Sequence, residues 1–94
     1  MKVYSRRRKL EILEMLETIL QKGDILYLDG VKCLVAKDNV TDKKYMVIHD
    51  SDVFPFEAFF ESYKESEVLT ELFTEVHVES KSDNIARFFE KFFN

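Results

Sequence analysis

Cysteine, glycine, proline and tryptophan are all scarce in this chain of 94 residues, which contains one, two, one and none of them respectively. One cysteine cannot form an internal disulfide, and one cysteine with two histidines cannot build a Cys/His zinc finger. Two glycines exclude a glycine-rich phosphate loop of the P-loop or dinucleotide-binding type. The sequence has neither a signal-peptide pattern nor an apolar run long enough to span a bilayer. We therefore expect a cytoplasmic protein in a reducing compartment, with no membrane partner.

The residues that are present supply enough apolar material for one core. Hydrophobic residues make up 46% of the chain and charged residues 34%, a balance typical of a folded domain rather than a disordered segment. A chain of this length is too short for a two-domain cofactor enzyme. We therefore predict a single small domain over residues 1–94.

Charge is distributed unevenly along the sequence. The net charge is −4, yet residues 1–22 carry six basic and three acidic groups. Residues 50–79 carry nine acidic groups and a single basic one, Lys64. The chain therefore combines a basic head with an acidic body.

The first half of the chain predicts one helix and three strands. Apolar residues spaced three and four apart over residues 5–22 are typical of an amphipathic helix, with Ser5 as its N-cap and Gly23 beyond its end. Residues 24–49 predict a three-stranded antiparallel β-meander, because Asp29-Gly30 between two apolar runs is a strong hairpin signal. A two-residue turn there gives the sheet one core face, formed by Leu26, Leu28, Val31, Cys33 and Val35.

The second half predicts a return to helix. We expect a helix that Asp52 caps, that tolerates Pro55 in its first turn and that runs through about Leu72. A short fourth strand over residues 74–79 follows from the alternation of apolar and polar residues, although residues 68–76 also fit helical spacing. The predicted fold class is α+β, with an N-terminal helix, the meander and then helices packed on one face of the sheet.

A last helix is predicted to begin at Asp83. Its apolar stripe consists of Ile85, Phe88, Phe89 and Phe92, with Phe93 beside it. A helix this short is marginal by itself, so the stripe must be buried. Two interpretations stay open: a monomer with the stripe in its core, or a homodimer with Phe89, Phe92 and Phe93 at the contact.

Three sets of residues could carry chemistry, and each has a simpler structural explanation. His49, Asp50 and Asp52 could bind a divalent metal, but successive residues at a strand end point to opposite faces. Cys33 lies on the predicted core face, where a thiol is structural rather than nucleophilic. His77 alternates with glutamates on an exposed face. We therefore expect no enzyme activity, and neither a catalytic residue, a metal nor a cofactor.

The acidic body is the feature that most suggests a function. Glutamates recur at every fourth residue, which on a helix places like charges about 6 Å apart, at a cost of roughly 0.2–0.5 kcal/mol per pair. An acidic face kept at that cost predicts a basic protein partner that the domain regulates or inhibits. The sharpest case is a nucleic-acid-binding enzyme whose groove accepts the face as a nucleic-acid mimic. The predicted contact residues are Asp52, Glu57, Glu61, Glu65, Glu67, Glu71 and Glu75.

The basic cluster in the first predicted helix indicates an alternative function. It consists of Arg6, Arg7, Arg8 and Lys9. These side chains could neutralise phosphates, which would make the domain a nucleic-acid-associated regulator. The helix macrodipole disfavours cations at a helix start. We therefore expect compensation from nucleic acid, from an acidic partner or from the acidic body of the same chain.

Overall fold

The computed structural model describes residues 5–69, 71–72 and 74–81, which form two helices and one five-stranded antiparallel sheet. In chain order the elements are α1 (Arg6–Ile19), β1 (Ile25–Leu28), β2 (Val31–Lys37), β3 (Lys44–Ile48), β4 (Asp52–Pro55), α2 (Phe56–Lys64) and β5 (Val76–Glu79). The predicted α+β class with an N-terminal helix is confirmed. Within the described residues, no helix has the length and apolar character needed to cross a membrane.

Helix α1 begins where the sequence predicts. The Oγ of Ser5 accepts a hydrogen bond from the backbone N–H of Arg8 at 3.2 Å, which satisfies one of the donors that every helix start leaves unpaired. The apolar face that the helix buries consists of Ile12, Leu13 and Leu16. The helix ends at Ile19, and Gly23 then turns the chain into β1 at a φ of +93°, which glycine adopts without steric cost.

The turn between β1 and β2 is the predicted two-residue hairpin. Asp29 and Gly30 have φ values of +51° and +82°, the left-handed pair that a type I′ turn requires. The turn pairs Leu28 with Val31 and so sets the register of both strands. The predicted core face is confirmed, with Val31 half-buried and these four side chains buried: Leu26, Leu28, Cys33 and Val35.

The strand order in the sheet is β4-β3-β2-β1-β5. Leu26 on β1, Val35 on β2 and Met46 on β3 belong to the same buried cluster as side chains of both helices. The helical members of that cluster are Ile12, Leu13, Leu16, Phe56, Phe59 and Phe60. Helices α1 and α2 therefore pack on one face of the sheet, as predicted.

The prediction that Asp52 caps a helix is wrong, because residues 52–55 form the edge strand β4. Asp52 pairs with Ile48 across a tight turn, and β4 runs antiparallel to β3. Pro55 suits the end of an edge strand because it has no N–H to donate to a further strand. It directly precedes Phe56, the first residue of α2. The meander therefore has four strands rather than three, and β5 is the fifth strand of the sheet.

Helix α2 is also shorter than predicted. It ends at Lys64 instead of near Leu72, and residues 67–69 and 71 lie in turns. The guanidinium of Arg6 donates to the carbonyl oxygens of Ser66 and Lys64 at 2.8 and 3.2 Å. These carbonyl groups obtain their hydrogen bonds from α1, so the chain can leave the helix without a polar penalty.

The predicted strand over residues 74–79 is confirmed in a slightly shorter form, as β5. Asp29 in the hairpin turn holds the start of this strand. Its Oδ1 accepts hydrogen bonds from the backbone N–H groups of Thr74 and Glu75 at 2.7 and 2.8 Å. The helix predicted from Asp83 lies outside the described residues, and so do the candidate dimer contacts Phe89, Phe92 and Phe93.

Candidate acidic interaction surface

The first acidic ridge of the sequence exists as predicted. Glu57 and Glu61 lie on α2 and Glu65 is its C-cap residue, and all three are exposed. Successive members of the ridge are one helical turn apart, about 6 Å from the rise per residue. The core-facing residues Phe56, Phe59 and Phe60 fix the orientation of this ridge, because their burial turns the opposite side of α2 outward.

Helix α1 adds carboxylates to the same surface. The Nζ of Lys64 lies 2.6 Å from Glu17 Oε1 on α1 and 3.6 Å from Glu61 Oε1 on α2. The pKa of Lys64 is raised, chiefly by its hydrogen bond with Glu17 and further by the charges of Glu17, Glu61 and Glu14, although partial burial opposes the shift. One ammonium group is therefore shared by carboxylates of both helices. We call Glu14, Glu17, Glu57, Glu61 and Glu65 the acidic surface.

A cavity of about 580 Å³ opens beside the acidic surface. Its lining includes Glu17, Glu57 and Asp42, so carboxylates from α1, from α2 and from the β2–β3 loop face one space. Lys44 also lines it, but its Nζ donates to the carbonyl of Leu20 at 2.9 Å and lies 4.8 Å from the ring centroid of Phe56. The ammonium group of Lys44 is therefore held by the protein. Lys43 also lines the cavity, so the three carboxylates share this space with two lysines.

The other predicted acidic residues are dispersed. Glu67 and Glu71 lie in the turns that follow α2, so the prediction that their four-residue spacing places them on a helix is wrong. Glu75 precedes β5 beside the hairpin turn, where its carbonyl accepts from the N–H of Asp29 at 2.9 Å. Asp52 lies on the edge strand β4. These four side chains are exposed but do not continue the ridge of α2.

The basic cluster is largely engaged with the protein itself. The Nζ of Lys9 is buried and donates to the carbonyl oxygens of Leu69 and Leu72 at 3.3 and 2.8 Å. Arg6 caps the end of α2, as described above. Arg7 and Arg8 lie 3.6 and 3.2 Å from carboxylate oxygens of Glu11, and the side chain of Arg7 is 93% exposed. Compensation for cations at this helix start thus comes from the same chain.

The residues that were considered for chemistry lie apart. His49 and Asp50 occupy a turn with φ values of +51° and +62°, and Asp50 Oδ1 lies 3.2 Å from the Nζ of Lys32. The ring of His77 packs against Tyr27 with centroids 5.8 Å apart. Among the residues that the structure describes, no group of three or more His, Cys, Asp or Glu side chains is arranged to hold a metal ion.

Cys33 is buried on the core face, as the sequence predicts. Its Sγ contacts the carbonyl oxygen of Val31 at 3.6 Å. Burial raises the pKa of the thiol from 9.0 to about 11, so the thiolate form that reacts as a nucleophile is disfavoured at neutral pH.

Sequence reasoning missed two contributions to the candidate site. Glu14 and Glu17 were counted with the basic head, although their spacing of three residues already placed both on one side of a helix. The apolar groove beside α2, which contains Phe54 and Ala58, left no signal because Phe54 was assigned to a helix start.

Comparisons of the chain with protein-family models, with curated proteins and with solved structures find no match. No relative therefore contributes an activity, a partner or a functional residue. The function has to be argued from the geometry and charge of the described surface.

Proposed function

We propose that this domain is a non-enzymatic interaction protein that binds a basic protein partner through the acidic surface and regulates or inhibits that partner. The observation that carries the proposal is the convergence of carboxylates from α1 and α2 on the single ammonium of Lys64. Five carboxylates with one lysine leave a local charge of −4 on this surface. Such a field attracts a cationic partner and accelerates its association.

The energetic cost of the ridge supports a role outside the fold. Repulsion between glutamates one turn apart on a helix costs roughly 0.2–0.5 kcal/mol per pair. Lysine at alternate positions of α2 would have turned that repulsion into attraction. Part of the cost is offset, because Glu57 lies in the first turn of α2 and Glu61 is 3.6 Å from Lys64. Glu65 follows the C-terminus of the helix, where a negative charge is unfavourable.

The spacing of the charges bears on the kind of partner. Carboxylates stand about 6 Å apart along α2, whereas one strand of duplex DNA carries a charge about every 3.4 Å. A single helix is therefore a sparse mimic, and the carboxylates of α1 bring the density closer to that of a phosphate backbone. The binding groove of a nucleic-acid-binding enzyme is the partner surface that such a pattern fits best.

The internal contacts of the basic cluster favour a protein partner over nucleic acid. Lys9 is 2% exposed, and both Lys9 and Arg6 donate to carbonyl groups of the segment after α2. A phosphate contact by Lys9 would require its ammonium group to leave this buried position. Arg7 and Arg8 have more exposure, and they define the alternative in which the domain contacts nucleic acid.

The test is affinity capture from the source cell with matched glutamine variants. The variant Glu57→Gln, Glu61→Gln, Glu65→Gln neutralises the ridge, and the control Glu67→Gln, Glu75→Gln, Glu79→Gln removes the same charge at exposed positions elsewhere. We expect the native chain and the control to retain a basic protein. The ridge variant should bind it about 10- to 150-fold more weakly, from roughly 0.5–1 kcal/mol per interface charge.

Salt provides the second readout of the same experiment. The Debye length falls from about 10 Å at 0.1 M to about 3 Å at 1 M ionic strength, so the association rate of the complex should fall steeply over that range. The proposal is overturned if the native chain retains nucleic acid instead of a protein and Arg7→Glu with Arg8→Glu abolishes that binding. Equal binding by the ridge variant and the control would overturn it as well.

A further inference from the structure

An apolar groove lies between the edge strand β4 and helix α2. It has a volume of about 350 Å³, and none of the eight residues that line it is charged. Its walls are Ile48, Phe54, Ala58, Phe59, Ser62, Tyr63, Ser66 and Leu72. Phe54 is 44% exposed and Leu72 is 37% exposed, so two large apolar side chains at the groove remain accessible to water.

Three acidic residues are close neighbours along the chain, or across a strand pair, of residues that line this groove. Asp52 pairs with the lining residue Ile48 and lies two residues from Phe54, on the same face of β4. Glu65 directly precedes Ser66, which lines the groove at the end of α2. Glu71 directly precedes Leu72. All three acidic residues are exposed, and their chain positions are those of an acidic rim beside the apolar lining.

That combination specifies the chemistry of an occupant. Protein interfaces commonly bury apolar anchor side chains in a central pocket and surround them with a polar rim. An acidic rim is complementary to lysine or arginine on either side of the anchor. The volume is near the lower limit of about 300 Å³ for ligand pockets, which suits one or two side chains and no larger body.

We propose that the groove receives one or two large apolar side chains from the basic partner, flanked there by lysine or arginine residues that face Asp52, Glu65 and Glu71. This inference rests on the proposed function, since it names a contact of the same partner. It assigns a role to Asp52 and Glu71, which do not belong to the ridge of α2.

Contact through side chains also agrees with the character of β4. Among the described strands β4 is an edge strand, and edge strands can recruit another chain by backbone pairing. Pro55 lacks a donor, and the charge of Asp52 disfavours an apolar strand alongside it. The groove next to this edge is therefore the better attachment point for a partner segment.

A synthetic peptide with the sequence Lys-Lys-Leu-Trp-Lys-Lys is a suitable probe. The domain contains no tryptophan, so the emission of the peptide reports only the environment of its own indole. We expect the emission to shift to shorter wavelength on binding, because the indole moves from water into the groove. Absence of any shift at millimolar peptide would overturn the proposal.

The substitution Ala58→Glu distinguishes binding in the groove from binding by the charge of the acidic surface. It adds a carboxylate beside the ridge of α2 and at the same time places that carboxylate in the groove. A purely electrostatic surface would bind the peptide more tightly, whereas a groove that takes apolar side chains should bind it at least tenfold more weakly. The matched control Gln21→Glu adds the same charge at an exposed position outside the groove and should bind at least as well as the native chain.

Further variants keep the outcomes distinct. Phe54→Ser removes one wall of the groove and should weaken binding of the peptide several-fold. This result does not depend on Ala58→Glu. Far-UV circular dichroism checks that each variant is folded. If Ala58→Glu and Gln21→Glu bind the peptide equally, the groove proposal is wrong. If Glu57→Gln with Glu61→Gln binds like the native chain while Ala58→Glu does not, the groove stands and the proposed electrostatic function fails.

Discussion

Lys9 offers the sharpest single test of how this fold is held together. The residue lies in the first turns of α1 and is only 2% exposed. Its Nζ donates to the carbonyl oxygens of Leu69 and Leu72, about sixty residues further along the chain. Lys9→Met keeps an unbranched aliphatic chain in the same space and removes every donor. The change therefore isolates the polar contribution of the ammonium group.

The size of the effect follows from the described acceptors of this ammonium group. A buried acceptor that loses its partner costs about 1–3 kcal/mol. The buried bond to Leu69 and the partly buried bond to Leu72 are both lost. Part of that cost is recovered, because the methionine variant no longer takes an ammonium group out of water. We expect a net loss of about 2–4 kcal/mol in the free energy of unfolding. In a domain of this size that corresponds to a decrease of roughly 8–30 °C in the thermal midpoint.

Urea unfolding followed by far-UV circular dichroism measures this loss. Lys22→Met is the matched control, because Lys22 is exposed in the turn after α1 and surface substitutions of this kind usually change stability by less than about 0.5 kcal/mol. Equal midpoints for the two variants would refute the reasoning. Desolvation of the ammonium would then have cancelled its hydrogen bonds, and the described turns after α2 would owe their position to apolar packing alone.

Two further predictions concern the core and the strand β5. Burial raises the pKa of Cys33 to about 11, because the folded chain favours the neutral thiol. The stability that this thiol contributes is complete below pH 9 and is lost as the pH rises through 11. Cys33→Ala should therefore cost about 1 kcal/mol at neutral pH and reduce the alkaline loss of stability measured by urea titration. The prediction is contradicted if DTNB modifies the thiol of the native chain as fast as it modifies the unfolded chain. Asp29→Ala should cost about 1–3 kcal/mol of stability and accelerate amide hydrogen exchange in β5. Asp29→Asn keeps the acceptor oxygen and should lose less stability. Unchanged exchange in β5 would show that Asp29 does not hold that strand.

Local sequence signals predicted the parts of the fold that depend on local chemistry. The Asp29-Gly30 hairpin formed because both positions require a left-handed backbone, which is a property of the two residues themselves. Ser5 caps α1 through a bond to a residue three positions away. The alternation of buried residues along β1 and β2 follows from the pleat once the turn sets the register.

The errors arose where distant residues decide the structure. Asp52 and Pro55 have the composition of a helix start, yet they form β4 because β3 offers a strand to pair with. The end of α2 depends on Arg6 and Lys9, which supply hydrogen bonds to the following carbonyl groups from the far end of the chain. No pattern within residues 52–72 contains that information.

The candidate site likewise has one part that local sequence predicts and other parts that depend on distant residues. The ridge Glu57, Glu61 and Glu65 was predictable because helical spacing alone sets it. The convergence of Glu14 and Glu17 with that ridge depends on how α1 and α2 pack, and the core residues of both helices determine this packing. The groove beside Phe54 required β4 to be recognised as a strand.

The use of the cations explains how a chain with only a small net charge can present a strongly acidic surface. Arg6 and Lys9 bind carbonyl groups at the end of α2 and after it, where the partial negative charge of a helix C-terminus favours cations. Cations engaged there cannot neutralise carboxylates on the outer sides of α1 and α2. The basic head of the sequence thus stabilises the turns after α2, and the acidic surface keeps Lys64 as its central cation. Substituting a glutamate of the ridge should therefore alter binding, whereas substituting Arg6 should alter folding. This difference distinguishes an acidic surface that binds a partner from charges that only balance one another within the fold.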